Sequence, residues 1–218
     1  MSLGHYGVAL GAKKVQPKIS LGTLLIAAQF SDLLWPTLLL LGIEKVEIKP
    51  GITKTTPLDF TYYPYSHSLL MAIVWGVILG IVFWRIRKNV AGAIVISLCV
   101  ISHWILDLIV HRPDLQLYPG NQTRVGFGLW NSAVATHLLE AIFFFGGMFL
   151  YLSATKAKNK IGSWAFWSFI AFMILGYLIN VFSPPPTSVT ALAWTAQFQW
   201  LLVIWAYWLD RNRTAVAG

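Results

Sequence analysis

Residues Ser102 to Leu115 read SHWILDLIVHRPDL, which sets His103, Asp107 and His111 four positions apart in a run otherwise rich in Ile, Leu, Val and Trp. Each residue of an α-helix turns by about 100°, so positions four apart step only about 40° and share one face. Cys99 begins the same stripe. Imidazole nitrogen and carboxylate oxygen presented together are a common ligand set for Zn²⁺ and other divalent first-row metals. The same groups also serve as hydrogen-bonding glue between helices, worth about 0.6 to 2 kcal/mol per contact, and both readings apply to the stripe. Other chemically capable residues in apolar surroundings are Asp32, His67 within PYSHSLL, and His137 with Glu140, which read as a satisfied buried pair. Arg112 and Asp114 follow His111 in HRPD, where Pro113 disfavours helical geometry at Arg112 and a polar turn competes with a site.

The elements that must carry these residues follow from composition. The chain has 218 residues, is 57% hydrophobic and only 11% charged, and contains 11 Trp, more apolar content than the core of a soluble domain needs. Crossing about 30 Å of hydrocarbon takes roughly 17 to 25 apolar residues in a helix. Six windows qualify, at about 20–43, 67–85, 90–110, 129–152, 163–182 and 189–209. No alternating pattern of period two points to a barrel, so the expected architecture is an all-α, polytopic membrane helix bundle forming one domain over 1–218. An ionisable side chain inside a span costs roughly 2.5 to 3.5 kcal/mol, so the His and Asp row should face a polar cavity, a partner or a metal.

The net charge of +8 does not call for a nucleic-acid partner, because the basic residues sit in short clusters between spans. Eleven of the 16 fall before span 1 and after spans 2, 4 and 6, which puts both termini in the cytoplasm by the positive-inside rule. The first apolar segment contains Asp32 and is too long for a signal peptide, so it reads as an uncleaved span. The single Cys99 excludes an intrachain disulfide and reads as a small packing residue. The outer loop from Glu44 to Ser66 should pack on the outer mouth, with Tyr62, Tyr63 and Tyr65 at headgroup level. The segment GHYGVALGAKK, Gly4 to Lys14, is too short to cross and reads either as an interfacial helix or as a piece inserted among the spans. The charge rule puts His5 on the cytoplasmic side, so it joins an outer-half site only if that segment folds into the bundle.

SHS at 66–68 opening a span, SHWILD at 102–107, and an early GH (Gly4, His5) followed by an apolar span with Asp32 together resemble the LexA-regulated, membrane-bound metal-dependent hydrolase family, also described as YdjM-like. The resemblance covers roughly residues 1–115. The family's usual acidic motif near the end of the first span is reduced here to SDLLWP, with Asp32 alone. The resemblance implies a divalent metal held by His67, His103 and Asp107, with Asp32 and His5 as further ligands or supporting groups. It also implies a bacterial cytoplasmic (inner) membrane setting.

The expected function is a membrane-embedded hydrolase in which Zn²⁺, Mn²⁺ or a similar ion acidifies a water at neutral pH. Its substrate is lipid-like, because a site in the outer half of a bilayer meets membrane lipids before soluble metabolites. Asp32 would be the general base, and His111 or Arg112 would stabilise charge on the leaving side. Two other classes use the same residues differently: a transporter relaying protons or ions through His and Asp, and a noncatalytic scaffold that keeps them as glue.

Overall fold

The computed structural model describes residues 2–216. It is an all-α bundle with five helices long and apolar enough to cross a membrane, α5 (Leu69–Arg87), α6 (Val90–Val110), α7 (Ala133–Ala154), α8 (Lys160–Phe182) and the segment Val189–Arg211, which divides into α9 (Val189–Gln197) and α10 (Gln199–Arg211). The pair α2 (Leu21–Ala28) and α3 (Phe30–Leu40), bent by 59° where they meet, makes a sixth when counted as one broken span. The chain therefore has the features of an integral membrane protein, and an even number of spans leaves the two ends of the bundle sequence on one side.

Local chemistry sets where the spans begin. Ser68, Asn89, Ser132, Asn159 and Ser188 each stand at an N-cap and accept a hydrogen bond from the backbone N–H three residues on, satisfying a donor that the first turn leaves orphaned. These caps correct the expected boundaries. Span 4 starts at Ala133 because Ser132 caps it and Leu129–Asn131 forms a separate 3-10 turn, while span 5 starts earlier than 163 because Asn159 caps at Lys160. Lys88, in the left-handed region with φ 50°, closes α5 and turns the chain straight into α6.

The connections form small antiparallel pairs at the two ends. At the end where α3 and α6 finish, β1 (Lys45–Ile48) pairs with β2 (Leu58–Tyr62), and β3 (Leu115–Gln116) with β4 (Arg124–Val125). At the opposite end, β5 (Thr155–Ala157) pairs with β6 (Arg213–Ala215), and the basic clusters collect there. Tyr63, expected in an interfacial belt, is instead 1% exposed, because β2 and the short helix α4 (Pro64–His67) fold inward over the bundle.

The helix α1 (Leu3–Val15) is inserted among the spans, packing chiefly on α7 and also on α2 and α6. Its 13 residues measure about 20 Å, so it reaches only part of the way through a bilayer. Close approach to α7 depends on two glycines: a Cβ on Gly7 would meet the Phe143 carbonyl, and one on Gly147 would meet Gly7 itself. Glu140 on α7 accepts hydrogen bonds from the N–H groups of Ser2 (2.7 Å) and Gly4 (2.7 Å), which need a partner at a helix N-terminus. At the other end Lys13 is buried and donates to Asp210 (2.8 Å) and the Ile19 carbonyl (2.7 Å).

Candidate metal centre

Insertion of α1 carries His5 into the same buried region as the stripe on α6. Lys13 and Lys14 stay at the basic end, but His5 lies eight residues earlier, about 12 Å further in along the helix. The charge rule thus described the end of this segment and not its beginning. Asp32 arrives from the other bent element: it lies in the first turn of α3, just past the break at Gln29. His67 ends α4, His103 and Asp107 project from α6, and His111 caps the C-terminus of α6.

Four ligand atoms converge. His67 Nε2 lies 3.4 Å from Asp32 Oδ1 and 3.8 Å from Asp107 Oδ2, and His103 Nε2 lies 3.6 and 3.3 Å from the same two oxygens. These separations are long for hydrogen bonds. Two of them, 3.3 and 3.4 Å, match the edge of a tetrahedron with metal–ligand bonds of about 2.0 to 2.1 Å, roughly 3.3 Å, and the other two, 3.6 and 3.8 Å, are longer. Asp32, His67 and His103 present ligand atoms within 4.8 Å of one another, and so do His5, His103 and Asp107. These buried groups can hold a metal ion.

The protonation pattern of the rings tests that fit. His103 Nδ1 lies 2.8 Å from the Ala28 carbonyl, which only accepts, so Nδ1 carries the proton. In the neutral ring Nε2 is then a bare lone pair, and it is buried without a hydrogen-bond partner. His67 Nδ1 lies 2.6 Å from Ser66 Oγ, whose hydroxyl donates to Glu44 Oε2 at 2.6 Å, so this ring also donates outward and turns Nε2 to the carboxylates. His111 Nδ1 is 2.9 Å from Asp114 Oδ1, and its Nε2 is 3.9 Å from Asp107 Oδ2. Three rings thus share one orientation, each with an outer acceptor of the kind that fixes a metal-binding tautomer. Lone pairs facing carboxylates repel, so a cation or a proton belongs between them.

His5 differs. Its Nε2 is 3.1 Å from Asp107 Oδ1 and its ring stacks on His103, with centroids 3.6 Å apart and planes within 10°. Stacked, near-parallel rings aim their nitrogens along separate planes, so His5 and His103 would not both direct a lone pair at one ion, and His5 would serve Asp107 instead.

The remaining expected residues fall outside the four-donor cluster. Arg112 pairs with Asp59 and with Asp114 Oδ2 (3.3 Å), so its charge is already engaged at the rim of the site. His137 and Glu140 form no pair with each other: His137 Nδ1 meets the Tyr177 hydroxyl at 2.7 Å while Glu140 holds α1. Tyr63 donates its hydroxyl to Asp114 Oδ1 (2.7 Å), and Trp130 lies against the His111 ring with centroids 4.0 Å apart. Burial holds the pKa of His111 below that of an ordinary histidine, against the pull of Asp114, and pushes the Glu44 carboxyl up against its Ser66 and backbone hydrogen bonds. Sequence reasoning missed Ala28, Glu44 and Tyr63 as supports, and left Asp114 between an ordinary polar turn and part of a site. For Asp114 the three-residue offset from His111 was a usable signal, whereas Glu44 lies 22 residues from Ser66 with nothing to link them.

Access is one-sided. The side chains of His5, His67, His103, Asp107 and His111 are at most 4% exposed, but that of Asp32 is 26% exposed. No protein-family model, curated protein or solved structure matches the chain. The resemblance of residues 1–115 therefore stands on its motifs alone.

Proposed function

We propose that the chain is a membrane-embedded metal-dependent hydrolase, set in a bacterial cytoplasmic membrane, that acts on a lipid-like substrate. The observation that carries this reading is the common orientation of His67, His103 and His111, each bonded outward at Nδ1 with Nε2 turned towards Asp107, and with His103 Nε2 buried without a hydrogen-bond partner. His67, His103, Asp32 and Asp107 would hold zinc or a similar divalent ion, and His5 would keep Asp107 in position through its Nε2–H. When bound, such an ion supplies Lewis acidity and draws the pKa of a water it holds towards neutrality. His111, neutral and backed by Asp114, is placed to take the proton of an attacking water, a role that leaves Asp32 as a ligand. Arg112 keeps Asp114 and Asp59 in place. The substrate reaches the cluster past Asp32.

The reading is tested by elemental mass spectrometry on detergent-purified protein prepared without added metal, alongside His103→Ala and Asp107→Ala. About one equivalent of one metal in the wild type, lost in both variants, is the expected result. Absence of metal after reconstitution with Zn²⁺ or Mn²⁺ would sink it and leave a proton shared among the carboxylates. The 59° break beside Asp32 is the observation that favours ion transport instead, since broken helices often expose carbonyls to an ion. Against transport, the carbonyl freed at Ala28 is occupied by His103.

A further inference from the structure

A cavity of about 330 Å³ adjoins Asp32, bounded by α1, the α2–α3 break, α8 and α10. It has two qualities that a metal site alone does not require. First, among its described lining residues there is no Lys or Arg, and Asp32 is its only charged side chain. Second, two of those residues hold buried polar atoms without a hydrogen-bond partner, the Gln29 carbonyl Oε1 and the Trp35 indole Nε1. Gln29 is 2% exposed and Trp35 7%. A buried donor and a buried acceptor left unmatched are costly to a fold and are rarely kept without a partner. Here one of each belongs to a residue lining the cavity that adjoins Asp32.

The apolar side of the cavity consists of Phe172 and Met173 on α8 and Leu202 on α10. Phe172 is also half exposed on the outer surface of the bundle, so the cavity reaches the lipid-facing side there. Asp32 and Asp107 would neutralise the two charges of a divalent ion, and Arg112 is engaged elsewhere. No Lys or Arg among the described lining residues is therefore placed to pair with an anionic headgroup.

Resting on the metallohydrolase reading above, we infer that this cavity binds the headgroup of the substrate, and that the substrate is an uncharged lipid whose hydroxyl or amide groups pair with Gln29 and Trp35. Its acyl chain leaves between α8 and α10 past Phe172. A monoacylglycerol or an N-acyl amide has the required chemistry; a phosphate monoester of the same lipid does not.

Gly176 provides the test. It lines the cavity, and a Cβ built on it meets nothing within 4 Å, so Gly176→Leu adds bulk at the cavity wall and replaces a poor helix former with a good one. The full-length protein in detergent, with its own metal, is labelled with a monoacylglycerol carrying a photoreactive acyl chain, and the labelled peptides are mapped by mass spectrometry. Labelling is expected on the peptides holding residues 172–177 and 199–202. Monooleoylglycerol should compete for it at least about tenfold better than its phosphate monoester, and Gly176→Leu, Gln29→Leu and Trp35→Phe should each weaken labelling by about tenfold, with metal content unchanged. Equal or better competition by the phosphate overturns the substrate class. Undiminished labelling in Gly176→Leu overturns the location. Metal bound with no labelling at these peptides defeats the inference alone, whereas labelling without any metal defeats the hydrolase reading and leaves a lipid-binding cavity.

Discussion

His67, His103 and Asp107 each form one wall of the same cluster, but the residues behind them determine how firmly the walls stand. Ser66→Ala removes the acceptor that orients His67 and leaves Glu44 buried without its hydroxyl donor. Metal affinity, measured by competition with a chromophoric chelator, should fall by about 10- to 100-fold, as it does when the outer partner of a metal-binding histidine is lost. His111→Asn should behave differently: metal content stays near wild type, while hydrolysis of a competent lipid falls by about 10²- to 10⁴-fold. Metal loss in that variant would make His111 a ligand and not a base. The stripe on α6 could be read from its four-residue spacing because helical geometry alone puts His103, Asp107 and His111 on one face. The orientation of each ring could not be read this way. It depends on Ala28, Ser66 and Asp114, and two of these come from elements remote from α6 in sequence.

Helix α1 shows how an element can be legible in outline and illegible in depth. Its length excluded a crossing, and its three glycines were visible, but nothing local says that Gly7 will meet Gly147 on a helix begun 130 residues later. The bent span is a similar case. Pro36 denies the Asp32 carbonyl its usual helical donor, and Gln199 of α10 lies 3.5 Å from it instead. The span was countable by its apolar length, yet the break that aims Asp32 at His67 and His103 was not. Two substitutions probe the placement of α1. Glu140→Ala removes an acceptor for two backbone donors, at a cost of about 1.5 to 3 kcal/mol per charge-assisted bond. Amide exchange at residues 2–8 should then rise and the thermal midpoint fall. Gly147→Val forbids the close approach outright, so exchange should rise along the whole of α1; protection unchanged from wild type would show that α1 does not pack on α7.

For the whole molecule, the alternation of basic clusters matches the alternation of connections: β1–β2 and β3–β4 at one end, β5–β6 at the other. In a Cys99→Ser background, single cysteines at Asn121 and Lys158 should be labelled by a membrane-impermeant maleimide from opposite faces of sealed vesicles. Labelling of both from one face would refute the six-span arrangement. Fold class and number of spans were legible because hydrocarbon thickness and backbone satisfaction leave few choices. The site was legible only in part, because its four donors come from three separate elements. The position of α1 also gives the protein a history. Its main partner α7 is synthesised more than a hundred residues after it, about 6 to 24 s at roughly 5 to 20 residues per second. By then Asp32, His67, His103 and Asp107 have all been synthesised, whereas the helix bearing His5 still lacks the surface that seats it. The cluster's donors are thus made before the surface that seats α1, and they wait as an open cup until that helix can pack.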